Sequence, residues 1–195
     1  TKNAGIPESV FQILHLDHSS TSKIISDHRI NHVLFTGSVS GGREVKKAIG
    51  TRFIGAGLEL GGKDPAYVRS DCNFEYAVEN LVDGSYFNSG QSCCGIERIY
   101  VDESIFDNFI EAFKIQTEKY NLDNPLGEST NLGPVVKLSA AKNIRNQVLK
   151  AINEGAKNII DGSNFKKDNL ENCYVSPSAL INAVSYTHLR AHETT

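Results

Sequence analysis

Apolar positions in the first sixty residues come in short runs separated by polar, helix-compatible stretches. Val10-Phe11-Gln12-Ile13-Leu14 predicts a strand, Ser20 to Asp27 with Ile24 and Ile25 a short helix, and Val33-Leu34-Phe35-Thr36 a second strand. Gly37-Ser38-Val39-Ser40-Gly41-Gly42 reads as a glycine-rich turn. It leads into a helix from Arg43 to Ile49 with Val45, Ala48 and Ile49 on one side, and Phe53 to Leu60 returns as a strand. Strands alternating with helices predict parallel strands joined by right-handed crossovers, as in a nucleotide-binding α/β sheet.

From Asp71 the helical stretches lengthen. Asp71 or Asn73 can cap a helix whose apolar positions Phe74, Ala77, Val78, Leu81 and Val82 recur at helical spacing and run toward the turn around Cys93. The strand-like run Arg98-Ile99-Tyr100-Val101 follows, then Asp102-Glu103-Ser104 as N-cap material. The stripe Ile105, Phe106, Phe109, Ile110 and Phe113 comes next and reads as core. A further helix is predicted from Leu138 to Glu154, stopping at Gly155, and Tyr174-Val175-Ser176-Pro177 is strand-like. Asn121 to Pro134 is a loop rich in Asn, Pro and Gly. The change of pattern near Gly62 is the best domain boundary, and no internal repeat is visible.

Composition narrows the function classes. The chain has 195 residues, 39% apolar and 22% charged, with a net charge of −3, so it can bury a core and carries no basic excess for nucleic acid or anionic membrane. A small-molecule substrate or a protein partner fits better. No apolar run approaches the ~20 residues of a membrane helix. The chain starts at Thr1 without methionine, and residues 185–195 lack an apolar period. We therefore expect an incomplete chain ending in a non-native tail. The four cysteines, Cys72, Cys93, Cys94 and Cys173, form neither a disulfide framework nor a zinc pattern, so reduced, cytosol-like thiols are expected. His15, His18, His28 and His32 lack metal-ligand logic, and no metal site is expected.

Two stretches carry candidate chemistry. Asn88-Ser89-Gly90-Gln91-Ser92-Cys93-Cys94-Gly95 sets a thiol at a tight turn between helix and strand, where Cys93 is either a nucleophile or a buried free thiol. Cys94, its immediate neighbour, reads as structural. Leu58-Glu59-Leu60-Gly61-Gly62-Lys63 supplies a strand-end carboxylate, either a base or a solvated group, and a glycine pair that lets other groups approach the backbone. The Gly37–Gly42 turn could present backbone N–H groups to a phosphate, with Ser38 as a spare donor.

Taken together, Phe35-Thr36-Gly37-Ser38, Leu58-Glu59-Leu60-Gly61-Gly62-Lys63 and Gly90-Gln91-Ser92-Cys93 closely resemble the aldehyde dehydrogenase superfamily. So does the 34-residue interval from Glu59 to Cys93. The resemblance runs from Ala4 to about Ala183 and includes Leu132-Gly133-Pro134. It implies an α/β chain in two parts, a partial Rossmann-like cofactor-binding domain over 1–62 and the first part of the α/β catalytic domain over 63–184. It implies that Cys93 attacks an aldehyde to give a thiohemiacetal, that hydride passes to NAD or NADP, and that Glu59 activates the water that hydrolyses the thioester. The Cys93 N–H would help hold the oxyanion. Gly37, Ser38 and Leu60 would line the cofactor, with Ser38 at the pyrophosphate. The parent protein would be a cytoplasmic homo-oligomer acting on a small-molecule aldehyde.

Departures from the family pattern are equally specific. The upstream Pro-Trp-Asn segment with the second oxyanion donor and the downstream Glu-x-Phe segment are missing, and Leu14-His15-Leu16-Asp17-His18 stands where family members often have glycines. A CoA-acylating enzyme is the nearest alternative, opposed by the presence of Glu59. A non-catalytic member that keeps the fold is the other, opposed by Cys93 and Glu59 occurring together.

Overall fold

The computed structural model describes residues 2–7 and 9–183; the expected tail at 185–195 lies outside them. Two compact units are formed by the described residues. One takes in the described residues up to Thr36 with Ser40–Glu59, the other Gly37–Val39 and the described residues from Leu60 onward.

The first unit contains helix α1 (His18–Ser26), strand β1 (His32–Thr36), helix α2 (Val39–Ile49) and strand β2 (Gly55–Glu59). Asp17 starts α1 by accepting the Ser20 N–H at 2.7 Å, filling one of the orphan donors of a helix start. β1 and β2 pair in parallel, His32 opposite Gly55 and Thr36 opposite Glu59. The core is Ile25, Val45 and Ile49 against Val33, Phe35, Ala56 and Leu58 of the strands. α2 begins at Val39, so Gly41 and Gly42 belong to the helix and not to the expected turn. Gly42 is buried on the same face as Val45 and Ile49; burial of that face outweighs the roughly 1 kcal/mol that a helical glycine costs.

The strand expected at Val10–Leu14 does not form. These residues are irregular and exposed, Ile13 at 72%. A strand is stable only where a neighbour takes up its N–H and C=O groups, and among the described residues no strand pairs with this run.

In the second unit, strand β3 (Asp64–Val68), helix α3 (Phe74–Tyr86) and strand β4 (Ile96–Val101) make another parallel crossover. A 3₁₀ turn (Glu103–Ile105) and helix α4 (Phe106–Glu118) follow. β3 was not anticipated: Pro65 breaks the strand signature, and the register with β4 shifts at Asp64/Pro65. Of the two proposed caps of α3, Asn73 serves, accepting the Tyr76 N–H at 3.2 Å; Asp71 instead pairs with Arg69. Val68, Val78, Val82, Phe109 and Phe113 form the core between sheet and helices, with Ile105 packed against it; of the stripe expected to be core, Phe106 is instead exposed at 37%.

Helix α5 (Leu138–Asn153) precedes a short antiparallel pair, β5 (Lys157–Asn158) with β6 (Leu180–Ile181). The strand expected at Tyr174–Pro177 is irregular chain, because side chains satisfy its backbone. Arg145 donates to Tyr174 O at 2.7 Å, Asn172 accepts from Tyr174 N at 2.9 Å and Asp168 from Ser176 N at 2.7 Å, while Pro177 has no N–H to offer.

Candidate active site

The turn that carries Cys93 starts where α3 ends. Asn88, Ser89 and Gly90 follow with φ of 51°, 59° and 74°, three successive left-handed residues of which only glycine adopts the conformation freely. Side chains hold this backbone. Asn88 Nδ2 donates to Gln91 O at 3.1 Å, and Ser89 Oγ donates to Gly133 O at 2.7 Å. The Gln91 carboxamide donates to Asn88 O at 3.0 Å and accepts from Val136 N at 2.8 Å. Gly95 N then closes the turn on Ser92 O at 3.2 Å.

At the crest, Cys93 and Cys94 are free thiols and both are exposed in this chain. Cys94 Sγ lies 3.2 Å from Ser92 Oγ. Among the described residues no hydrogen bond uses the Cys93 N–H, so that donor is available to a developing oxyanion.

Gly62 meets this turn from below. A Cβ there would overlap the Cys93 carbonyl oxygen, so the close backbone approach anticipated for the glycine pair is made at Gly62, and its partner is the Cys93 peptide. Next to it, Lys63 Nζ pairs with Glu97 Oε2 at 2.8 Å, both side chains less than a quarter exposed. The Lys63 carbonyl also accepts from Arg98 Nη2 at 3.3 Å. Beneath the turn a cavity of about 300 Å³ is walled by Gly90, Gly95, Ile96, Phe106 and Val148, and Cys93 is not part of its wall.

Glu59 is the last residue of β2, exposed, and opposite Thr36 in the parallel pair. From Thr36 the chain passes through Gly37 and Ser38 into α2. Leu60, half-buried, directly follows Glu59. The carboxyl ends of parallel strands and the start of a helix are where phosphates bind. α2 is 11 residues long with no acidic side chain in its first turn. Gly37 and Ser38 thus lie at a helix start with no like charge to oppose a phosphate. Ser38 is only 4% exposed, so the offer to an anion comes chiefly from the helix start and not from a freely accessible hydroxyl.

Sequence reasoning did not find the roles of Ser89, Gln91 and the Lys63–Glu97 pair. Gln91 lies within Gly90-Gln91-Ser92-Cys93, but its partners at Pro134 and Val136 are more than forty residues away, with no local signal. No group of three or more His, Cys, Asp or Glu gathers to hold a metal ion among the described residues. Among the same residues no helix is long and apolar enough to cross a membrane.

Comparison with known proteins places the chain in a family. The model of the aldehyde dehydrogenase family matches residues 1–194. The succinate semialdehyde dehydrogenase [NAD(P)+] of Escherichia coli is 35% identical over 161 residues, 83% of this chain and 35% of that protein. The crystal structure of glyceraldehyde-3-phosphate dehydrogenase from Methanocaldococcus jannaschii complexed with NADP matches at 34% identity and a TM-score of 0.82, over 92% of this chain and 38% of that one. Betaine aldehyde dehydrogenase from Staphylococcus aureus in complex with NAD+ matches at 29% identity and a TM-score of 0.84, over 94% and 37%. The chain thus spans little more than a third of these proteins, and over that span it belongs to the aldehyde dehydrogenase family.

Proposed function

We propose that the protein to which this chain belongs oxidises an aldehyde to a carboxylic acid with NAD or NADP, with Cys93 as nucleophile and Glu59 as general base. The observation that carries the reading is the exposed Cys93 thiol on a braced turn whose peptide abuts Gly62, three residues after Glu59. The Cys93 thiolate adds to the aldehyde carbon, and the oxygen, taking negative charge, is met by the Cys93 N–H. Bound NAD(P)+ supplies the hydride acceptor that turns the thiohemiacetal into a thioester. Glu59 then takes a proton from water as the water oxygen attacks the thioester carbon, and the Cys93 thiolate leaves as the acid is released. Gly37 and Ser38 at the start of α2 would hold the cofactor pyrophosphate, with Leu60 toward its nicotinamide. The same reading takes the protein as a cytoplasmic homo-oligomer that binds neither nucleic acid nor membrane.

Single-turnover kinetics on the full-length protein test the two roles. Cys93→Ser abolishes the burst of NAD(P)H. Glu59→Gln keeps the burst and slows steady-state turnover, because deacylation is the step that lacks its base. Equal loss of the burst in both variants contradicts the division of labour, and a thioester resolved by CoA at undiminished rate in Glu59→Gln points to the acylating alternative.

A further inference from the structure

The geometry points to Gln91 as a positioning residue for Cys93, a role that rests on Cys93 being the nucleophile. Its carboxamide ties the turn to a distant segment: Nε2 donates to Asn88 O at 3.0 Å and to Pro134 O at 3.4 Å, and Oε1 accepts the Val136 N–H at 2.8 Å. One side chain thus bridges the strained entry to the turn and the backbone of residues 134–136, two positions before the sulfur. Ser89 Oγ adds a parallel tie to Gly133 O at 2.7 Å.

The far end of the tie is flanked by buried side chains, although Val136 itself is 66% exposed. Leu132 is 3% exposed and Val135 5%. Leu132 packs with Leu122, Ile160 and Phe165, and Val135 N is bonded to Cys173 O at 2.9 Å. The near end is not self-sufficient, since Asn88 and Ser89 sit in the left-handed region at φ of 51° and 59° and relax toward ordinary backbone when their restraints go. The Cys93 side chain is exposed, so no core burial holds the thiol; the backbone of the residue is restrained by the turn itself and by Gly62. Removing Gln91 therefore displaces the thiol while leaving the cores intact.

The test uses Gln91→Ala and Gln91→Met in the full-length protein, the second keeping side-chain volume without hydrogen bonds. The readout is the first-order rate constant of the NAD(P)H burst, which is independent of how many molecules are folded; the burst amplitude counts those. A displacement near 1 Å costs about 100-fold in a reaction of this type, so both variants should show a rate constant about 30- to 100-fold lower, with KM for aldehyde and cofactor within threefold of wild type. A normal rate constant with reduced amplitude or lowered melting temperature means that Gln91 serves stability alone and overturns the proposal. If Cys93→Ser retains its burst, the site assignment itself fails; if Cys93→Ser is dead and both Gln91 variants keep the normal rate constant, only this inference does.

Discussion

Replacing Gly62 by alanine should damage the site through one added methyl group. Gly62 does not use a positive φ, so alanine meets no dihedral penalty and the effect is purely steric. The new Cβ would overlap the Cys93 carbonyl oxygen and stand 3.1 Å from Asp64 Oδ1. Asp64 can rotate away. The Cys93 peptide cannot do so easily, because the bond from Gly95 N to Ser92 O closes the turn on one side and Gln91 braces it on the other. Restoring ordinary contact requires a shift of at least about 1 Å, given that non-bonded heavy atoms pack best at about 3.5 Å or a little less where one is oxygen. Overpacking of this kind costs about 1–3 kcal/mol of stability, and a 1 Å displacement of the nucleophile lowers the acylation rate about 100-fold. Thermal unfolding, the burst rate constant and the rate of Cys93 alkylation by iodoacetamide measure the two effects separately. Gly155→Ala is the contrast: φ there is 104° with open space around the position, so it should cost about 1–3 kcal/mol from backbone strain and leave the burst rate unchanged. A Gly62→Ala protein that melts and reacts like wild type would refute the packing of Gly62 on Cys93.

Other consequences concern the frame of the second unit. Burial pushes the Asp168 carboxyl upward, but the Ser176 N–H and hydroxyl and the Arg145 guanidinium outweigh it and hold its pKa below the ordinary value. The stabilisation is therefore complete above the unfolded pKa near 3.9 and is lost as pH falls through the lower folded value. Asp168→Asn should accordingly unfold more readily at pH 7, by about 2–3 kcal/mol for hydrogen bonds to a charged group. The gap to wild type in denaturant melts should shrink below about pH 4, and one that stays constant down to pH 3 contradicts the assignment. Val82, 1% exposed, loses two methyl groups in Val82→Ala; with about 0.8 kcal/mol for each and a cavity term, the unfolding free energy should drop by about 2–3 kcal/mol, and a change under 0.5 kcal/mol would mean that the core collapses around the gap.

Periodicity found elements where a burial pattern and a cap coincide, as in α3, where Phe74, Val78 and Val82 repeat behind the capping Asn73. It failed where backbone groups choose partners outside the local pattern. Val10–Leu14 and Tyr174–Pro177 have strand composition, yet one has no neighbouring strand among the described residues and the other gives its N–H and C=O groups to Asn172, Asp168 and Arg145. β3 escaped for the opposite reason: pairing with β4 overrides the poor strand propensity of Pro65.

The sequence alone determined the chemical identities: a thiol at Cys93, a carboxylate 34 residues earlier at Glu59, and glycines between them small enough for backbone to approach. These are properties of side chains and of short-range order, which composition and spacing carry directly. Tertiary structure decided that Cys93 is exposed, that Gly62 is the glycine its peptide rests on, and that Gln91 and Ser89 tie the turn to Gly133, Pro134 and Val136. Those facts depend on hydrogen bonds and contacts across thirty or more residues, which form only when helices and strands pack and which leave no periodic trace along the chain.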